Sequence, residues 1–491
     1  MKRWLAAGVI ALAAPLAVAD DHTSLEFDDS DAPPDYGRAF VESATVFGLQ
    51  FGWYTSHPED SRADWQFHWN AEDWEHRLSL SGLRFDTNAF YVNAERHPLQ
   101  SLVQYRIARA NNFGLLGSEL FTTLYGVVWE YIAEFEEYPS LNDMIVDATT
   151  GVEIGEPLWQ IAQTWRGPDA SVSDRVKTTI FSPIDGFHDL IGDHHYPRRT
   201  HPAWRSIAGE IGAVVRDDDG TSRTQASASL DVDLVNDRNY VREGTRSGAI
   251  VPGTWSRARG RITADDADIP NVQLDTRTAL AGYYAQEADG RGLFIGVGTA
   301  FSYRHDRLAT YSDHFAAAHV VGPQLQILYR APEYAVRWDL DAYGDFTMVD
   351  ALVFKDHSPF IAAPPYISAL QAHGYYYGLG YTATSRLRLD TVRWSVDAEI
   401  ASTRAWQLPG PDRVQDLDNV QTAAATTHPP QIFNAHGVHD TRTYGRGEIT
   451  YHVGRAGLSG LIETEYRSGE WRALQTSSWA TTVGLLAHVD L

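Results

Sequence analysis

On both sides of the stretch from Asn93 to Glu156 the chain alternates apolar and polar residues in short segments. Tyr334, Val336, Trp338, Leu340 and Ala342 fall on one side of such a segment, and Arg337, Asp339 and Asp341 on the other. Residues 391–400 repeat it, with Val392, Trp394, Val396, Ala398 and Ile400 against Arg393, Asp397 and Glu399. Leu458, Gly460, Ile462 and Tyr466 likewise stand against Glu463, Glu465 and Arg467. Side chains alternate faces in a strand, so each segment is a strand with one greasy and one charged surface. Strands are predicted near 46–54, 64–70 and 76–85, then near 206–216, 225–235, 253–263, 274–286, 293–304, 324–330, 334–344, 374–384, 391–401, 443–453, 458–467 and 479–491.

Aromatics gather at the ends of the apolar faces: Trp53, Tyr54, Tyr303, Tyr329, Tyr375, Tyr377, Tyr381, Tyr451 and Tyr466. Apolar-out, polar-in segments of roughly ten residues with aromatic girdles are the pattern of a transmembrane barrel. Asp218-Asp219-Gly220 and Asp289-Gly290 read as hairpin turns. The last strand alternates to Leu491 and resembles the closing strand recognised by the barrel-assembly machinery. The expected fold is therefore mainly β: an antiparallel transmembrane β-barrel of about 12–16 strands with an inserted α-helical module.

The expected organisation is a signal peptide at 1–19, a disordered lead-in at 20–40, first barrel strands at 41–92, a helical insert at 93–200 and the remaining strands and loops at 201–491. Met1-Lys2-Arg3 is a basic start, the run from Trp4 to Val18 is apolar, and Ala17-Val18-Ala19 is an A-x-A cleavage site. Cleavage removes Lys2 and Arg3 and takes the net charge from -24 to -26. The segments 345–373 and 407–440 read as long loops. The acidic balance excludes a nucleic-acid partner, which needs a basic footprint. With 0 cysteines the chain has no disulfide or thiolate chemistry. The implied setting is the outer membrane of a Gram-negative bacterium, with membrane lipid and the assembly machinery as partners.

Helical spacing interrupts the strands after Asn93. Pro98 suits a first helical turn, and Leu99 to Ala110 follows it. Ser118 to Phe135 forms a second helix with Leu120, Leu124, Val127, Val128 and Tyr131 on an apolar face. Ser140 with Asp143 reads as an N-cap opening a third helix to about Trp165. Gly151 and Gly155 allow a neighbour's backbone to come close.

The string Asn93, His97-Pro98, Arg109, Ser118, Trp129-Glu130-Tyr131, Glu134, Pro139-Ser140, Asn142-Asp143, Gly151 and Gly155-Glu156, followed by Ser182-Pro183-Ile184-Asp185-Gly186-Phe187, resembles a bacterial envelope family. That family is domain of unknown function 3943. Leu99-Gln100 departs from its pattern, where a small residue follows His-Pro. The resemblance implies an outer-membrane setting and supplies no reaction.

Two functions compete for these residues. In one the helices form a polar plug in or under the lumen, paired with inward barrel charges such as Arg337 and Glu463, in a protein of structural or of lipid or small-solute transport role. In the other an integral hydrolase or transferase works on lipid or envelope polymer, with His97 as base, Glu130, Glu134 or Asp143 orienting it, and Arg109 clamping an anion. Ser118 and Ser140 lack a G-x-S-x-G elbow. A metal site built from His97, Glu130, Glu134 and Asp143 is conceivable, but no H-E-x-x-H or E-x-x-H spacing supports it, and no cofactor is expected. Asp193-His194-His195 with His201 reads as a loop.

Overall fold

The computed structural model describes residues 33–56, 70–79, 82–135, 137–167, 169–192, 204–236, 240, 244–265, 268–308, 311–355, 369–408 and 437–491. The leader at 1–19, all but the last residue of the strand expected at 64–70, Asp193-His194-His195 with His201, and most of the 407–440 loop lie outside these residues. Helices come first: α1 (Tyr36–Ser56), α2 (Ala71–Arg77), α3 (His97–Ala110), α4 (Leu115–Val128), α5 (Leu141–Thr150), α6 (Glu156–Gln163), α7 (Val172–Phe181) and α8 (Pro183–Leu190). Single π-helical turns at Val92–Arg96, Trp129–Ala133 and Gly151–Gly155 adjoin α3, α4 and α5. Strands follow: β1 (Trp204–Asp218), β2 (Thr221–Val235), β3 (Arg246–Ala249), β4 (Trp255–Asp265), β5 (Asp268–Gln286), β6 (Gly292–Arg307), β7 (Ser312–Arg330), β8 (Tyr334–Asp350), β9 (Tyr375–Thr391), β10 (Trp394–Gln407), β11 (His439–Val453), β12 (Ala456–Trp471) and β13 (Leu474–Asp490).

Twelve antiparallel strands close into a barrel. Each long strand pairs with its sequence neighbours, β1 pairs with β13, and β5–β6 pairing completes the ring. Short β3 lies beyond the end of β4 and pairs only with β5. The strands expected at 206 and beyond all form. Those expected at 46–54 and 76–85 do not: the first is part of α1, and residues 71–77 are α2. Among the described residues the barrel begins at Trp204, those of 41–92 hold no barrel strand, and the helical module precedes the barrel instead of interrupting it. Residues 36–40, placed in a disordered lead-in by composition, are already helix, and β8 carries strand structure through the expected loop as far as Asp350.

Ion pairs across the ring fill the lumen. Arg257 of β4 reaches Asp339 of β8 (2.7 Å), Arg259 of β4 reaches Glu399 of β10 (2.8 Å), and Arg386 of β9 reaches Asp231 of β2 (3.0 Å). Arg337 pairs with Asp233, and Glu463 with Arg261, so both are spent within the barrel and neither meets the helices. Near the start of β1, Tyr240 packs among Trp204, Trp255 and Tyr284 and donates to Gln326 (2.5 Å). At the opposite rim, Leu352 and Val353 press on Gly469 of β12, where a Cβ would meet Val353 N at 2.9 Å. A cavity of about 80 Å³ remains at mid-height, lined by Arg257, Arg277, His319 and Asp341 among others, and one of about 190 Å³ toward the opposite rim, lined by Arg216, Asp306, Asp313 and Arg467 among others.

The helices pack on the outside of this wall. Along β8, Arg337, Asp339 and Asp341 face inward, so Trp338, Phe346 and Met348 face outward by alternation. Trp338 is exposed, but Phe346 and Met348 are covered by a cluster that includes Phe85, Phe90, Ala94, Val146 and Ile154. Phe301 and Tyr303 of β6 and Tyr375 and Tyr377 of β9 join that cluster from the same outer face. Toward the start of β1, Ile161 of α6 covers outward Ile207, Val232 and Leu234. The lumenal plug expected from the sequence is therefore replaced by a bundle on the flank of the barrel.

The outer surface of the bundle is itself apolar. On α4, Leu116, Leu120 and Leu124, one helical turn apart, are 73%, 71% and 61% exposed. On α1, Phe40, Val41, Leu49 and Trp53 are exposed, while its charged Arg38 and Glu42 pair with each other at 2.8 Å. The bare barrel wall continues the same surface through Trp338, Leu387, Ile400, Ile449, Ile462 and Leu485. No helix among the described residues is long and apolar enough to cross a membrane by itself.

Candidate functional site

Polar chemistry sits between the helices, and the π turns help to place it. A π turn widens the helix by one residue and recurs at functional positions. The turn Trp129–Ala133 carries Glu130 inward, and Glu134 follows it. The turn Val92–Arg96 ends at His97, with Pro98 in the first turn of α3, where its missing N–H costs nothing. Ser140 caps α5, its side chain accepting from Asp143 N (3.4 Å), which brings Asn142, Asp143 and Asp147 to the same interior.

His97 is buried among carboxylates. Asp143 Oδ1 lies 3.5 Å from its Nε2, and Asp147 Oδ1 lies 3.5 Å from its Nδ1. Ligand atoms of His97, Glu130 and Glu134 all lie within 4.8 Å of one another. Glu130 Oε2 accepts from Ser140 N (2.7 Å), and Glu134 Oε1 accepts from Trp129 Nε1 (2.8 Å). Asn142 ties the floor of the site: it accepts from Asp86 N (3.0 Å) and donates to Asp143 Oδ1 (2.9 Å). Asn93 donates to Asp86 (2.8 Å) and to the hydroxyls of Tyr375 (2.9 Å) and Tyr377 (2.5 Å), linking the site to the wall of the barrel.

Arg109 belongs to a second cluster. Its Nε and Nη2 pair with Glu156 (3.1 and 3.2 Å), and its guanidinium lies 3.8 Å from the centre of the Trp159 ring. Tyr105 and Gln160 also donate to Glu156, at 2.8 and 2.6 Å. Gly253, at φ +80°, lets the β3–β4 connection approach, since a Cβ there would meet Glu156 Oε1 at 2.3 Å. Thus His97, Glu130, Glu134 and Asp143 come together as the sequence pattern suggested, whereas Arg109 is held apart and already saturated. Ser118 is fully buried, its hydroxyl 3.5 Å from Phe113 O, with no base beside it. Tyr131 lies beside Arg77, 6.0 Å from ring centre to guanidinium. Gly151 and Gly155 admit Thr122 and Tyr105, respectively, into the bundle interior.

Sequence reasoning missed Asp86, Asp147, Arg77 and the two tyrosines as parts of this site. Asp147 was findable, one turn beyond Asp143 on the same face. Arg77, whose Nη2 donates to the carbonyls of Glu130 (2.5 Å) and Glu134 (3.1 Å), lay in a segment read as strand. Tyr375 and Tyr377 read as girdle aromatics because only the fold brings Asp86 and Asn93 against β9.

Three solved outer-membrane barrels illustrate what the chain is similar to. The KdgM porin in complex with disordered oligogalacturonate is 7% identical over 57% of this chain and 99% of its own, with a TM-score of 0.22. The β domain of the Bordetella autotransporter BrkA is 9% identical over 57% and 98%, with a TM-score of 0.21. The outer membrane channel DcaP of Acinetobacter baumannii is 8% identical over 59% and 97%, with a TM-score of 0.21. No curated protein matches the chain. The barrel itself rests on its own strand pairing. The helical module is where a family is recognised: residues 82–184 match the model described as Domain of unknown function (DUF3943).

Proposed function

We propose that this is an integral outer-membrane protein whose barrel is a closed scaffold for a helical module standing in the lipid, and that its role is directed at membrane lipid, in envelope structure or lipid handling. Passage of solute through the lumen is not its work. The observation that carries this reading is the side of the wall on which the helices lie: Phe346 and Met348 share the face of exposed Trp338, opposite the lumenal charges. A bundle there, with an uncharged outer ridge, meets lipid tails on one side and buries its polar groups on the other. Hairpin connections at 331–333, 392–393 and 454–455 are tight and sit at the rim where β1 starts, the arrangement of periplasmic turns. A photoactivatable phospholipid tests the placement. It should label Leu120 and Leu124 in reconstituted protein and leave lumenal Thr382 untouched. Labelling of Thr382 with protection of the α4 ridge would refute it.

A second reading, an enzyme acting on lipid or envelope polymer, draws on the 3.5 Å approach of Asp143 to His97. A base oriented by a carboxylate is the arrangement such chemistry needs. Arg109, bound to Glu156, does not serve it as an anion clamp. On this reading His97→Ala abolishes activity in a fully assembled barrel.

A further inference from the structure

The interior around His97 is built with more negative charge than its own side chains answer. Five carboxylates (Asp86, Glu130, Glu134, Asp143 and Asp147) stand around two cationic side chains, His97 and Arg77. Buried charge without compensation is costly, and a polar atom sealed from both water and partners is costlier still. Yet His97 Nδ1, Glu130 Oε1 and Asp143 Oδ2 are buried with no hydrogen-bond partner in the structure. Glu130 is wholly buried and His97 95% so, being 0% and 5% exposed. His97 and Glu130 thus each hold a buried atom without a hydrogen bond, and ligand atoms of His97, Glu130 and Glu134 lie within 4.8 Å of one another.

We propose that His97, Glu130 and Glu134 bind one divalent transition-metal ion. An imidazole with two carboxylates is a mixed nitrogen and oxygen set, suited to zinc, manganese or iron and poor for calcium or magnesium, which favour oxygen alone. The flanking carboxylates complete the design. With one ring nitrogen of His97 on the ion, Asp143 or Asp147 holds the other and fixes the ring, the outer-shell arrangement that metal-bound histidines use. The π turn explains how a sequence without a familiar ligand spacing makes such a site: Glu130 lies within the widened turn and Glu134 at its close, both ahead of the Ser140 cap. The site requires neither the lipid setting nor a closed lumen.

A second His-and-acid cluster sits in the barrel, where His488 lies between Glu210 and Asp490 at 3.2 Å each. Both its ring nitrogens are engaged there, so it serves as the control. Full-length protein in lipid nanodiscs is stripped with EDTA and titrated with zinc against a chromogenic chelator. Cobalt(II) serves as the spectroscopic probe. Wild type should take up one equivalent and give a nitrogen-perturbed cobalt spectrum. Glu130→Gln and His97→Gln should weaken uptake about tenfold or more, while His488→Gln leaves it intact. Absence of a tight equivalent in wild type overturns the proposal. So does loss of uptake in His488→Gln with retention in Glu130→Gln. Heat-modifiable migration checks that each variant is assembled, and the wild-type titration with its cobalt spectrum decides the matter even if a variant fails to fold.

Discussion

Leu120→Arg separates a bundle in lipid from one in water. Leu120 is 71% exposed on α4 and touches little of the protein, so on a wetted surface its replacement changes stability by no more than about 0.5 kcal/mol. In a bilayer the same guanidinium meets hydrocarbon. α4 rises about 21 Å over its length, and Leu120 lies roughly 8 Å from its start. Arginine at the midplane of a barrel's lipid face costs about 2–4 kcal/mol, a factor of about 30 to 900 in the folding equilibrium. The comparison residue is Val172, 80% exposed at the head of α7 beside Asp174, Arg175 and Lys177, a polar neighbourhood where Val172→Arg should cost almost nothing. Reversible urea unfolding in liposomes, followed by tryptophan emission and heat-modifiable migration, measures both. A Leu120→Arg penalty below about 0.5 kcal/mol, or equal to that of Val172→Arg, would show that the ridge does not face lipid.

Other outcomes follow from the same contacts. Planar bilayers should show no steady conductance from wild type, while Arg259→Ala with Arg386→Ala, which removes two cross-lumen links, should admit ions; a conducting wild type contradicts the filled lumen. Gly155→Ala places a Cβ 2.6 Å from Tyr105 Cδ1, against a fully buried ring, and should cost about 1–3 kcal/mol or more in thermal unfolding. Ser140→Ala should cost about 1 kcal/mol, and a Gly155→Ala protein as stable as wild type would refute the packing. Arg109→Ala leaves Glu156 buried without its charge partner and should destabilise by about 3–5 kcal/mol without opening the pore; Arg109→Ala with Glu156→Gln should recover part of that loss, and no recovery would deny the pair.

The twelve barrel strands were legible because each has one apolar and one charged face, so period two survives in the sequence. The same logic explains the failure at 46–54. α1 buries Ala39, Ser43 and Tyr54 against the bundle and leaves Phe40, Leu49 and Trp53 exposed; with apolar residues on both faces, its helical period fades, and Phe-Gly-Leu-Gln-Phe-Gly-Trp imitates a strand. The motif segment announced its helices through Pro98, the Ser140 cap and Gly155, all local signals. The side of the wall was not local. It depends on Phe346 lying an even number of residues from Trp338, and on lumenal arginines already matched across the ring by Asp231, Asp339 and Glu399. Alternation marks the two faces of a strand without saying which face a distant helix covers. Arg109 shows the same limit, since only the fold brings Glu156 to it.

The hydrogen bonds from Asn93 to Tyr375 and Tyr377 join residues 282 and 284 positions apart. Their span constrains biogenesis. The bundle is synthesised first, yet its docking surface is not finished until β8 and β9 have paired, so it must travel with apolar flanks uncovered and dock late, after a very long loop has closed. Meanwhile the β1–β13 seam carries no helix over Ile211 or Leu485, both still exposed. The ring can therefore zip shut on its bare side while the bundle settles on the other. Slowing seam closure and slowing helix docking should leave two different trapped species, one open at β1–β13 and one a closed barrel with its bundle still protease-sensitive.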